Sequence, residues 1–246
     1  MLHFYLAGIN NQNFLMRDRE TGTWWQQITG KAIYGPMKGT TLELVPSDEL
    51  TFAQWKSETS GGQVLAPVKK DAKEYDSKWE FEVAKLPVVI SFPGTELKSR
   101  DVVVGVEING AARAYPWDSA VKESPIVDHI HGTPILLVVA SDGKSFRMFL
   151  SEVESKETEF FLKGDANDRG TDDKGKKENK DKDKDDKDIK GENWALVDSA
   201  TASKWNFQGC ATSGPSQGKC LTRLPALKDY WFDWRNYHPD TTVYKH

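Results

Sequence analysis

Gly30-Lys31-Ala32-Ile33-Tyr34-Gly35-Pro36-Met37-Lys38-Gly39 returns later in the chain as Gly209-Cys210-Ala211-Thr212-Ser213-Gly214-Pro215-Ser216-Gln217-Gly218. At a constant offset of 179 residues, eight of the 26 positions from Gly30 to Trp55 are identical, ending with Trp55 against Trp234. Self-similarity at a fixed spacing marks an internal repeat. With one gap, Asp18, Thr21 and Trp25 also align with Asp198, Thr201 and Trp205, and the run from Phe4 to Gly8 resembles that from Phe160 to Gly164. Gly-Pro followed by Gly three positions on is turn chemistry, since Pro presets φ and Gly accepts positive φ. The expected fold is mainly β, α+β with a few short helices, with antiparallel sheets from a tandem repeat whose first copy is incomplete. That divides the chain into a partial first repeat over 1–60, a connecting segment over 61–100 and a second repeat over 101–246.

Hairpin signals surround the repeated unit. Val102 to Tyr115, broken by Asn109-Gly110, suits a type I′ turn, and Ile135 to Leu150, broken by Asp142-Gly143, reads as a second hairpin. Thr51 and Gln54 form a candidate capping box ahead of Trp55. Trp231 and Trp234 stand three apart on one helical face before Pro239, so these tryptophans are expected to pack short helices onto sheets. The first residues carry no basic region or long apolar stretch and read as a strand already under way, as in a truncated chain. Residues 165–192 hold eleven Asp/Glu and nine Lys/Arg with almost no apolar group, the composition of a solvated, mobile insert.

The 246 residues suffice for an ordinary core without metals or disulfides. A formal net charge of −4 opposes nucleic-acid binding, which draws on an excess of Lys and Arg. No run of about 18 apolar residues, the length that spans a bilayer, occurs.

Several constellations invite a chemical reading. Cys210 and Cys220 flank the second Gly-Pro turn and face Lys31 and Thr41 in the first copy. Both cysteines are present in one copy and both absent in the other, which suggests a mutual disulfide and an oxidising compartment; two free buried thiols are the alternative. Gly214 to Gly218 matches G-x-S-x-G, but its setting between strand-like runs makes Ser216 a turn residue rather than a nucleophile. His129 and His131, two apart, could ligate one metal ion from a strand, against a default of exposed turn histidines. Asp181, Asp183 and Asp185 half-imitate a calcium loop but lack its central glycine. Asp18, Trp25, Asp198 and Trp205 could frame a pseudo-symmetric ligand pocket, or merely hold turns through side-chain acceptors. Which cofactor, if any, the chain takes is left unknown by these residues.

Asp18-Arg19-Glu20-Thr21-Gly22, the Trp25 to Gly39 run, Val104 to Ile108 with Arg113-Ala114-Tyr115-Pro116, and Ile126-Val127-Asp128 with Gly132-Thr133-Pro134 resemble the family called domain of unknown function 3179. The resemblance covers nearly the whole chain apart from the charged insert and implies a secreted or membrane-attached setting, with no reaction attached. It also implies a Tyr-Cys-Pro-x-Cys-like segment that this chain lacks. The expected function is an extracytoplasmic binding or structural module whose small-molecule or protein partner is open. Alternatives are part of a metal-dependent or redox enzyme completed by an upstream half, and a calcium-associated acidic matrix protein.

Overall fold

In the computed structural model, which describes residues 1–93, 95–163 and 194–245, strands β1 (Phe4–Asn10), β2 (Asn13–Asp18), β3 (Trp24–Gln26) and β4 (Ala32–Tyr34) form one antiparallel sheet in that order. Helix α1 (Phe52–Glu58), a 3-10 turn at Lys69–Glu74 and helix α2 (Trp79–Val83) follow, mostly exposed. Then comes the hairpin of β5 (Val102–Ile108) and β6 (Ala111–Pro116). Its turn residues Asn109 and Gly110 take φ of +51° and +78°, the paired positive values of a type I′ turn. Helix α3 (Trp117–Glu123) leads into a three-stranded sheet of β7 (Ile126–Ile130), β8 (Thr133–Val139) and β9 (Phe146–Leu150). After the small hairpin β10 (Glu152–Val153) and β11 (Lys156–Glu157), β12 (Phe160–Lys163), β13 (Ala195–Asp198), β14 (Lys204–Trp205) and β15 (Ala211–Ser213) form a second four-stranded sheet in sequential order. Strand β16 (Leu227–Tyr230) pairs antiparallel with β5; after helix α4 (Trp231–Tyr237), β17 (Thr242–Val243) lies parallel to β6. The chain is thus mainly β, with several antiparallel sheets and few short helices.

The layers follow from side-chain alternation along β5 and β8. Ile135, Leu137 and Val139 of β8 pack with Val104, Val106 and Tyr115, while Leu136 and Val138 face the other way onto Leu196, Trp205 and Phe160. Both faces of β8 are buried, which is why Ile135 to Val139 is an unbroken apolar run. Val103 and Ala114, on the far side of the β5–β6 hairpin, meet Trp231 and Trp234 of α4. The side of α4 carrying Asp233 touches the first sheet through Asn13. The stack therefore runs from β12–β15 through β7–β9 and β5–β6 to α4 and β1–β4.

The first and second four-stranded sheets pair in matching register. Phe4 opposes Asp18 as Phe160 opposes Asp198; Met16 opposes Trp25 as Leu196 opposes Trp205; Trp25 opposes Ala32 as Trp205 opposes Ala211. Each sheet has an irregularity directly before its tryptophan, at Trp24/Trp25 and Lys204/Trp205. The two short helices differ, and here the packing expectation for Trp55 is corrected. Trp234 lies on Gly105 of β5, where an added β-carbon would stand 2.3 Å from the indole. Helix α1 buries none of its residues, and Trp55 stacks instead on Phe52 at 5.5 Å and against Gly62. Thr51 caps α1 by accepting from the Gln54 N–H at 3.2 Å, but the Gln54 amide turns to Glu58, so only half of the capping box forms.

Candidate functional site

The paired Asp and Trp side chains form two closed knots. Asp18 ends β2, where the chain must turn back into β3, and its carboxylate gathers the turn: Oδ1 accepts from the Thr21 N–H at 2.5 Å and Oδ2 from the Trp25 indole at 2.8 Å. Asp198 does the same at the end of β13, accepting from Thr201 N at 2.5 Å and from the Trp205 indole at 2.9 Å. Thr23 Oγ1 and Ser203 Oγ then accept from the N–H of Met37 and Ser216, which ties each Gly-Pro turn down. Gly35 and Gly214 pass so close that an added β-carbon would lie 2.8 and 2.7 Å from the Cα of Thr23 and Ser203. Burial raises the Asp18 carboxyl, but the indole and the turn donors outweigh it and hold it at about 2; Asp198 is lowered for the same reasons. Asp18, Trp25, Asp198 and Trp205 are all at most 1% exposed, so these carboxylates and indoles are spent on their own turns. Ser216 is likewise buried in its turn, 3.2 Å from Thr201 Oγ1.

His129 lies on β7 with its ring half exposed and its Nε2 2.9 Å from the Glu157 carboxylate. His131 has left the strand: at φ +49° it opens the turn to β8 together with Gly132 at +78°. The same-face relation of residues two apart holds only within a strand, so it does not carry across this turn. Among the described residues no group of three His, Cys, Asp or Glu side chains could hold a metal. Asp181, Asp183 and Asp185, with the rest of 165–192, lie outside the described residues. Cys210 and Cys220 are joined by a disulfide across an isolated antiparallel bridge, and Lys31 and Thr41 form the corresponding bridge beside the first Gly-Pro turn.

Two clusters were invisible to sequence reasoning as clusters. Arg113 and Tyr115 project from the same side of β6, two residues apart, and both donate to Asp128 Oδ2 of β7, at 2.5 and 2.8 Å. The Tyr244 ring packs against Tyr115, tilted by 32° with centroids 5.1 Å apart. Burial opposes ionisation of Asp128, yet Arg113 and Tyr115 together hold its carboxyl below the usual range; burial and the same carboxylate push the Tyr115 phenol up. The set is an ionised carboxylate neutralised by a guanidinium, with a phenol that stays a donor. Arg147 of β9, 4% exposed, meets Glu58 through two bonds at 2.8 and 2.7 Å and Asp48 through bonds at 3.2 and 2.8 Å, with its guanidinium over the Phe207 ring at 4.6 Å. Arg223 also pairs with Asp48. The only signal available for the first cluster was its membership of the family-like motifs; nothing local marks the second.

A mainly antiparallel β chain with these internally satisfied turn knots and one disulfide defines the structural class. Residues 5–241 match the model of the family described as Protein of unknown function (DUF3179), and the chain belongs to that family. No curated protein and no solved structure gives a significant match to the chain. No helix among the described residues is long and apolar enough to cross a membrane.

Proposed function

We propose that this chain is an extracytoplasmic binding or structural module, built from a duplicated β unit, that docks the apolar sheet face of a partner polypeptide onto β1–β4. The observation that carries this reading is an inequality between two sheets of matching register. In β12–β15, Phe160, Leu196 and Trp205 are at most 3% exposed because they lie on Leu136, Val138 and Phe149 of the β7–β9 sheet. On the matching face of β1–β4, Trp25 is as buried as Trp205, but the β1 end is open: Phe4 is 38% and Leu6 59% exposed. Phe14 and Ile9, opposed across β1 and β2 on that same face, are 48% and 67% exposed. Contiguous exposed apolar groups of this kind mark interaction surfaces, and the chain itself supplies the precedent for the occupant: a sheet presenting Leu, Val and Phe. The disulfide supports an oxidising setting.

The test is site-specific photo-crosslinking in the native host, with a benzophenone amino acid at Leu6 or Phe14 and, on the opposite face, at Tyr5 or Tyr34. The expected result is an adduct from Leu6 and Phe14 to apolar strand residues of one polypeptide, mapped by mass spectrometry. Equal yields from both faces, or no adduct from Leu6 and Phe14, would overturn the reading.

A further inference from the structure

Beyond the docking face, a second feature lies at the junction of the first sheet with α4. Asp229 is the last residue but one of β16, Asp233 sits in the first turn of α4 and Asn13 begins β2. Each of the three side chains has one polar atom engaged and one oxygen bare. Asp233 Oδ2 accepts from Asn13 Nδ2 at 2.6 Å, and Asp229 Oδ1 accepts from the Tyr230 N–H at 2.7 Å. Asn13 Oδ1, Asp229 Oδ2 and Asp233 Oδ1 are buried and accept from no N–H or hydroxyl donor, and the two carboxyls lie within hydrogen-bond reach of each other. Asn13 and Asp233 are themselves only 6% and 8% exposed. A buried acceptor without a partner is costly, and natural structures seldom leave three together.

We propose that Asn13, Asp229 and Asp233 form a binding site for a hard divalent cation of the calcium or magnesium class, seated between β2 and α4. The donor set is all oxygen, two carboxylates and a carboxamide, which suits these ions and not the softer transition metals. Arg100 faces Asp233 and stacks on Tyr230 and Phe232, at 4.8 and 4.9 Å, so it offsets one of the two negative charges and leaves the other. Glu49 also faces Asp229, with its own charge offset by Lys228 at 3.1 Å. A proton shared between the two aspartates would satisfy Asp229 and Asp233 but brings no donor to Asn13 Oδ1; a cation serves all three oxygens.

The test uses the full chain, stripped with EDTA and titrated with terbium chloride, with emission sensitised through Tyr230 and Trp231 and then displaced with calcium or magnesium chloride. The expected result is saturable emission that either ion displaces. Asp233→Asn and Asn13→Ala should weaken it by about tenfold or more, whereas Asp181→Asn/Asp183→Asn/Asp185→Asn leaves it in place. Near-UV circular dichroism checks the fold; if Asp233→Asn fails to fold, Asn13→Ala on its separate strand decides. Undiminished affinity in the folded variants would overturn the proposal. So would the absence of any emission at millimolar metal, in which case the aspartates share a proton instead.

Discussion

Arg147 shows what a single side chain does in this molecule. Its guanidinium is nearly inaccessible, and its two carboxylate partners, Asp48 and Glu58, lie 99 and 89 residues earlier in the chain. Removing it leaves the partly buried Glu58 without a cation and Asp48 with Arg223 alone, which is far worse than losing a surface ion pair. Arg147→Ala should therefore cost about 3–5 kcal/mol in a denaturant titration, the range for breaking a buried pair. Arg147→Lys should recover part of it, since a point charge meets one carboxylate but not the bidentate geometry. A loss under about 1 kcal/mol, the surface-pair range, would show that the cluster is not effectively buried. Nothing near Arg147 in the sequence announces this role, because hydrogen-bond partners so far apart leave no local pattern. Asp18 and Asp198 are the opposite case. Their donors lie within seven residues, so repetition of Asp, Thr and Trp at the same spacing made their turn-holding reading legible.

Among the elements, those specified by local chemistry were the readable ones. Asn109-Gly110 marks its turn by positive-φ tolerance, and Ile135 to Val139 marks a strand buried on both faces. Where a partner element decides, reading failed: Trp55 and Trp234 have the same local setting in sequence, and only Trp234 meets a strand with a glycine beneath it. The disulfide sits between these cases. The first Gly-Pro turn reaches the same bridge geometry with Lys31 and Thr41 and no covalent link, so the hydrogen-bonded ladder alone can form the turn. Cys210→Ser/Cys220→Ser should therefore fold, with near-UV circular dichroism unchanged. It should lose about 2–3 kcal/mol, the chain-entropy value for a loop closed over so few residues. Failure of that double variant to fold would mean that the second turn, unlike the first, depends on its crosslink.

For the molecule as a whole, the stacking of sheet on sheet on helix could not be read from the chain, because it depends on which apolar faces meet over long separations. One consequence of that stacking is an opposition between carboxylates. Asp18, Asp198 and Asp128 are held below their usual range by donors, so their contribution is present above the ordinary carboxylate range and is lost as pH falls toward their folded values. At the α4 junction the sign reverses. Burial first, and then the charge of Asp233, push Asp229 up to about 8, and Asp233 is raised with it by burial. A carboxyl raised on folding stabilises fully below its unfolded value near 3.8, and that contribution is lost as pH climbs through about 8. In EDTA, thermal unfolding should thus show a maximum on the acid side of neutrality, with Tm falling from about pH 5 to about pH 8 and levelling off above that. Asp229→Asn removes the group that must ionise, so it should raise Tm at about pH 8 and flatten the alkaline limb while leaving the acid limb intact. An alkaline limb of the same slope in Asp229→Asn would place the titrating group elsewhere.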